Sequence, residues 1–309
     1  MHQRKPVDAT AIAIMVVLCV IWGTQQAAIK AVEQAMAPLL QLGLRSGVSA
    51  AACLGLVAWR GEAGWLNRAT ALPGLAVGVL FGLEFVFMGE ALRYTSASHA
   101  TIFLYTAPLI AALGLGLIRP DERLSALQWG GIGCAFLGVV VAFAGVADTA
   151  QYPHMRLGDA LAMGGSLSWA MTSLVLRGSR LANAPAAVTL LYQLAGAFVL
   201  ACALALALGE TQVAATPALG LSLAYQAVVV AFASYLGWFT LLRHYSAARL
   251  GVLSFMTPVF GVAAGVALLG DRLSGGFIAG AALVMGGIIT VSLRDLRPAR
   301  PAPAPTPAE

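Results

Sequence analysis

Long apolar segments follow one another along almost the whole chain, each near the roughly 20 residues that a helix needs to cross a hydrocarbon core. Short polar or Pro/Gly breaks separate them into ten predicted helices, at 9–32, 38–58, 73–93, 98–118, 125–146, 157–176, 185–208, 217–242, 250–269 and 274–293. The period-two alternation of a membrane barrel, in pieces of about ten residues, is absent. The expected fold class is an all-α integral membrane protein with ten transmembrane helices. Composition agrees: of 309 residues 60% are hydrophobic and 10% charged, with mean hydropathy +0.84. Soluble domains carry roughly 25% charged residues.

Charge orients the spans. With the N-terminus in the cytoplasm, 13 basic residues fall on the inner side, 4 (Lys30, Arg93, Arg156 and Arg272) on the outer side, and Arg45 alone within a span, which accounts for all 18 Lys and Arg. The positive-inside rule therefore predicts a multi-pass protein of a bacterial-type inner (plasma) membrane with both termini cytoplasmic. The net charge of +5 orients the chain and calls for no nucleic acid. The first apolar run follows "HQRK" but is long and recurs mid-chain, so it reads as a retained helix. Cys19, Cys53, Cys134 and Cys202 all lie in apolar segments without a C-x-x-C pair, which suits packing rather than disulfides or metal.

The two halves match. "LRYTSASHATIFLYTAPLI" at 92–110 aligns with "LRHYSAARLGVLSFMTPVF" at 242–260, pairing Arg93 with Arg243 and Pro108 with Pro258. "ERLS" at 122–125 matches "DRLS" at 271–274, and Gly131 and Gly138 match Gly280 and Gly287. Trp22 and Lys30 pair with Trp169 and Arg177, and Pro38 with Pro185. Five helices per half is an odd number, so the second half enters the membrane from the opposite face. Two inverted five-helix repeats around a central cavity are expected, a design of secondary transporters with the substrate near the midplane. The organisation is then a cytoplasmic tail at 1–8, a first repeat at 9–146, a periplasmic connection at 147–156, a second repeat at 157–293, and a Pro-rich disordered cytoplasmic tail at 294–309.

The W-G-x-x-x near the start of each half, the R-x-x-S-A before a proline-containing helix, and "PDERLS" and "GDRLS" before Gly-rich helices resemble the EamA family of the drug/metabolite transporter superfamily. The resemblance spans about residues 10–293. The Glu-bearing third helix, "FGLEFVFMGEALRYTSA", is similar to that of YddG-type amino-acid exporters. This resemblance implies a secondary transporter that exports amino acids, aromatic ones included, and related amphipathic metabolites by alternating access. It implies a small-molecule substrate, a lipid bilayer, no cofactor, and function as a monomer.

Candidate residues follow from the cost of polar groups in lipid. An unpartnered amide in hydrocarbon costs several kcal/mol, so Gln25 and Gln26 should point inward. Trp22, Gln25, Gln26 and Ile29 share one helix face, and the counterparts Trp169, Thr172 and Ser173 are polar or amphipathic too. Both stretches read as cavity lining, with interhelical hydrogen bonding as the alternative. Glu84 lies about 16 Å into its span at 1.5 Å per residue, near the midplane, where an ionisable residue is a functional candidate. It would bind a substrate ammonium or exchange a proton; the other reading is a neutral acid in a helix seam. Phe81, Phe87 and Met88 continue its face. Arg45 and Glu90, at similar depths, are expected to form a structural ion pair; the alternative has Arg45 facing a substrate carboxylate. Pro108 and Pro258 are hinge candidates or static bends. Tyr105, Tyr192, Tyr235 and Trp238 are expected to face the cavity, with core packing as the alternative. His99 and His244 are expected near loop ends in solvent. The glycines Gly74, Gly78, Gly82, Gly261 and Gly265 suit close helix packing.

No G-x-x-x-x-G-K-[ST], H-E-x-x-H or G-x-S-x-G motif occurs, so an ATP-driven pump or an enzyme lacks its chemistry. No metal site is expected. An exporter of drugs or other small metabolites is the alternative function, and a channel a further one.

Overall fold

The computed structural model describes residues 8–118, 125–144, 152–245, 250 and 253–293. Residues 1–7, half of the 147–156 connection (147–151) and the tail from 294 lie outside them. The described residues are mostly helical: α1 Ala9–Lys30, α2 Pro38–Trp59, α3 Arg68–Tyr94, α4 Ala97–Leu104, α5 Ala107–Ile118, α6 Ala126–Ala144, α7 Met155–Gly178 and α8 Ala186–Ala207. Then follow α9 Pro217–Ala224, a π-helical segment Tyr225–Ser234, α10 Tyr235–His244, α11 Met256–Leu269 and α12 Gly275–Leu293. No strand occurs among the described residues, and Met36 and Val213 form an isolated bridge.

Among the described residues five stretches are long and apolar enough to cross a membrane: Ala9–Lys30, Pro38–Trp59, Arg68–Tyr94, Ala186–Ala207 and Pro217–Leu241. Local chemistry sets their ends. Asp8 caps α1 by accepting from Ala11 N (2.8 Å), and Asn67 opens α3 as a capping box with Thr70. Pro38 and Pro217 occupy first turns, where a missing N–H costs nothing. Gly209 and Gly270, at φ 72° and 71°, end α8 and α11 in a left-handed conformation that side chains resist.

Proline does more than bend its helix. The span at 97–118 breaks between α4 and α5 at Tyr105–Thr106, directly before Pro108. The matched span also turns at Phe255, directly before α11 and Pro258. Equivalent breaks thus stand in both halves.

The halves interlock through contacts that exchange with one another when the repeats are exchanged. Helices α6 and α12 cross antiparallel on glycine. A Cβ on Gly138 would lie 2.6 Å from the Gly280 carbonyl oxygen, and one on Gly280 2.6 Å from that of Gly138. Gly287 meets the Gly131 carbonyl in the same way. Since Gly131 is equivalent to Gly280 and Gly138 to Gly287, each contact maps onto the other. Likewise Ala27 of α1 packs with Ala264 of α11, and their counterparts Leu174 and Gly114 touch between α7 and α5.

Helices α3 and α8 meet along Gly74, Gly78 and Gly82, as the glycine spacing predicts. The Tyr192 ring lies on Gly74, and Gly196 sits directly on the Gly78 backbone. Replacing Gly196 by alanine should therefore force the helices apart. Overpacking of this kind costs about 1–3 kcal/mol, so the purified variant should melt at lower temperature. Gly220→Ala, whose Cβ would meet nothing within 4 Å, should leave the melting point unchanged or raised. Equal melting of both would contradict this packing.

One end of the bundle is strongly tied. Lys30 Nζ donates to the Leu92 carbonyl and stands 4.7 Å over the Tyr152 ring. Arg93 bridges Glu90 (3.1 Å) and Glu210, and Ala214 N donates to Ala35 O (2.8 Å). At the opposite end Tyr245 OH donates to Asp8 Oδ2 (3.0 Å).

Candidate substrate-binding site

Aromatic side chains from both halves meet at the centre. The Trp22 indole Nε1 donates to Ser234 Oγ (2.8 Å), and its ring meets Trp238 edge-on at 5.6 Å and Tyr235 at 6.3 Å. Tyr105, at the α4–α5 break, meets Trp169 edge-on at 5.3 Å. Trp22 and Trp169 are repeat counterparts. At the offset that aligns Leu92 with Leu242, Ser234 is the counterpart of Glu84. The π-helical segment leads directly into Ser234 and Tyr235; such windings widen a helix and recur at functional sites.

Arg45 and Glu84 carry the charge at this centre. Arg45 is 1% exposed and Glu84 7%. The guanidinium lies 4.7 Å from the Phe85 ring, next in sequence to Glu84, a favourable cation–π placement. Buried polar atoms nearly always find a partner. Among the described residues nine side-chain atoms do not, and five of these belong to Gln26 (Oε1), Arg45 (Nε, Nη1, Nη2) and Glu84 (Oε2). Four of the nine thus belong to Arg45 and Glu84, in the apolar interior where unmet hydrogen-bonding capacity is most costly.

A stripe on α2 faces the π-helical segment around Arg45. Gln41 Oε1 accepts from Gln226 Nε2 (3.0 Å), and Ser49 Oγ donates to Ala227 O (2.9 Å). Gln41, Arg45 and Ser49 recur every fourth residue, a signal that was present in the sequence and would have drawn attention to this face.

The remaining expected residues divide. Gln25 and Gln26 are buried, at 9% and 4% exposure, as polar groups shielded from lipid should be. Phe87 packs over Gly164, between α3 and α7. Thr172 is buried but spends its hydroxyl on its own helix, donating to Ser168 O (2.9 Å), and Ser173 is half-buried beside it. Tyr192 stands apart, packed with Gly74, Val57 and Val188 in the α2–α3–α8 seam; core packing, the alternative for this residue, fits the structure.

Two expectations are corrected. Arg45 and Glu90 make no ion pair. Glu90 faces the end of the bundle, where Arg93 lies one turn away at 3.1 Å and Glu210 joins it, whereas Arg45 turns toward Phe85. His99 is not solvated. It is 2% exposed, shares a 2.9 Å hydrogen bond with Asp159 Oδ2 and stacks on Phe277 at 3.7 Å. Asp159, fully buried, also accepts from Thr95 Oγ1 (2.6 Å). His244 is exposed as expected.

A surface depression of about 400 Å³, lined by Glu33, Pro38, Arg93, Glu210 and Gln212, lies at the tied end of the bundle, away from the aromatic centre. Among the described residues no group of three or more His, Cys, Asp or Glu is placed to hold a metal.

Known proteins resemble this chain over nearly its full length. It is 30% identical over 286 residues, 90% of this chain and 92% of the relative, to a Salmonella typhimurium (strain LT2) protein described as "Probable amino-acid metabolite efflux pump". An Escherichia coli (strain K12) protein of the same description is 29% identical over the same shares. A solved crystal structure, described only as "Crystal structure of protein", superposes with TM-score 0.66 at 25% identity, covering 94% of this chain and all of the other. Residues 9–144 and 156–293 each match the EamA-like transporter family. With both halves matched and an all-helical bundle that joins them through repeat-equivalent contacts, the chain belongs to the EamA-like transporter family.

Proposed function

We propose that the chain is an inner-membrane secondary transporter that exports amino acids or related amphipathic metabolites by alternating access. Its ten spans form two inverted five-helix repeats with both termini cytoplasmic, and one copy of the chain is the transporting unit. The observation that carries this reading is the central cluster itself: Arg45 and Glu84 retain unpartnered buried polar atoms beside Trp22, Tyr105, Trp169, Tyr235 and Trp238. A soluble or purely structural bundle gains nothing from orphaned charges in its middle. A carrier gains a site that a small amphipathic molecule completes. The antiparallel α6–α12 crossing and the paired α1–α11 and α5–α7 contacts support the inversion, and the relatives' descriptions support export of amino-acid metabolites.

The helix breaks before Pro108 and Pro258 give each half an interrupted span at equivalent positions, which suits hinge motion around a fixed centre. Counterflow in proteoliposomes tests the function. Internal unlabelled leucine, phenylalanine or threonine should drive transient accumulation of the labelled compound, with and without a pH gradient. A pore would equilibrate label without overshoot, and no response to any amino acid would remove the substrate class.

A further inference from the structure

The centre holds a guanidinium and a carboxyl group that do not close on each other. The Arg45 guanidinium packs on Phe85, next in sequence to Glu84, yet no nitrogen–oxygen approach within 4.0 Å joins Arg45 to Glu84. All three guanidinium nitrogens lack an acceptor, and Glu84 Oε2 lacks a donor. The neighbours on the Arg45 stripe are already committed. Gln41 Nε2 donates to Ile29 O (3.1 Å) and Met36 O (2.8 Å), and its oxygen accepts from Gln226. Ser49 Oγ donates to Arg45 O (2.8 Å) and Ala227 O. Neither accepts a hydrogen bond from the guanidinium. Phe85 lies against the guanidinium and leaves its N–H edge to be satisfied by something else.

Resting on the exporter reading above, we propose that Arg45 and Glu84 together recognise a zwitterion. The substrate carboxylate docks on the Arg45 fork, and its ammonium on Glu84 Oε2. A guanidinium matches a carboxylate with two parallel hydrogen bonds. An α-amino acid carries its two charges one carbon apart, so a single molecule satisfies both residues and leaves no net charge in the apolar centre. The aromatic walls at Trp22, Tyr105 and Trp169 then take the side chain, which sets the class: α-amino acids with apolar or amphipathic side chains, rather than amines or organic acids. A site built around buried polar groups rejects an analogue that lacks their partner far more strongly than one that lacks a methylene.

The test uses the detergent-purified full-length chain, whose Trp22, Trp169 and Trp238 report binding by intrinsic fluorescence, with leucine, leucinamide and N-acetyl-leucine as ligands. The wild-type protein should bind leucine about 10- to 150-fold more tightly than leucinamide, the range of a charge-assisted hydrogen bond. It should also prefer leucine to N-acetyl-leucine. Arg45→Gln should erase the preference over the amide, and Glu84→Gln the preference over the N-acetyl compound. Arg45→Lys, which keeps the charge but loses the fork, should retain the first preference at a smaller ratio. The wild-type comparison needs no variant, so a misfolded mutant cannot shield the proposal. Equal wild-type affinity for leucine and leucinamide would overturn it, as would Arg45→Gln weakening both equally. Leucine counterflow combined with equal affinities leaves the exporter reading standing and removes only this inference. Failure of all amino acids to bind or exchange removes both.

Discussion

Replacing Asp159 by alanine should destabilise the protein by about 2–6 kcal/mol, since two buried donors each lose their acceptor at about 1–3 kcal/mol apiece. Asp159 is fully buried on α7 and serves two donors of the other repeat: Thr95 Oγ1 at 2.6 Å and the His99 ring at 2.9 Å. Phe277 of α12 closes over the His99 ring at 3.7 Å with planes tilted by 10°. In the alanine variant both donors are left unsatisfied, and the cavity adds its own cost. Asp159→Asn keeps the shape and one acceptor oxygen, so its loss should be smaller. Denaturant unfolding of the purified protein reads both. An alanine variant as stable as wild type would mean that this network does not hold the repeats together.

Glu84→Gln should weaken exchange of zwitterionic substrates about 10- to 150-fold, the loss expected for one charge-assisted hydrogen bond. The glutamine fits the same space and can still hydrogen-bond, so folding should survive. Proteoliposome exchange between equal pools measures the effect without a driving force. If Glu84 instead carries a coupling proton, exchange should persist while efflux driven by a pH gradient is lost. Wild-type behaviour in both assays would leave Glu84 a packing residue and shift recognition to the Trp22 and Trp169 walls.

The helices were legible because apolar length is a strong and local signal. Even the α4–α5 interruption stands where Pro108 points to it, and the glycines matched between halves turn out to touch. Partnerships were harder. The sequence fixes how deep Arg45 and Glu90 sit along their helices but not which way each faces, and the azimuth sends Arg45 to Phe85 and Glu90 to Arg93. His99 reads as solvated from its distance to a loop. It is buried because Asp159, from a distant stretch of chain, and Phe277, from another, cover it. Tyr192 reads as cavity lining by residue type alone, and the Gly74 notch claims its ring instead. The π-helical winding at 225–234 leaves no sequence mark comparable to a proline, since it depends on what packs against it.

The most direct measurement is two-sided accessibility of the centre. With Cys19, Cys53, Cys134 and Cys202 replaced by alanine, a single Gln25→Cys reports on the Trp22 face in sealed, oriented vesicles. A membrane-impermeant thiol reagent should modify it from either side in turn, and a transported amino acid should protect it from both. Modification from one side only, or from both without protection by any amino acid that the protein exchanges, would contradict an alternately exposed central substrate site.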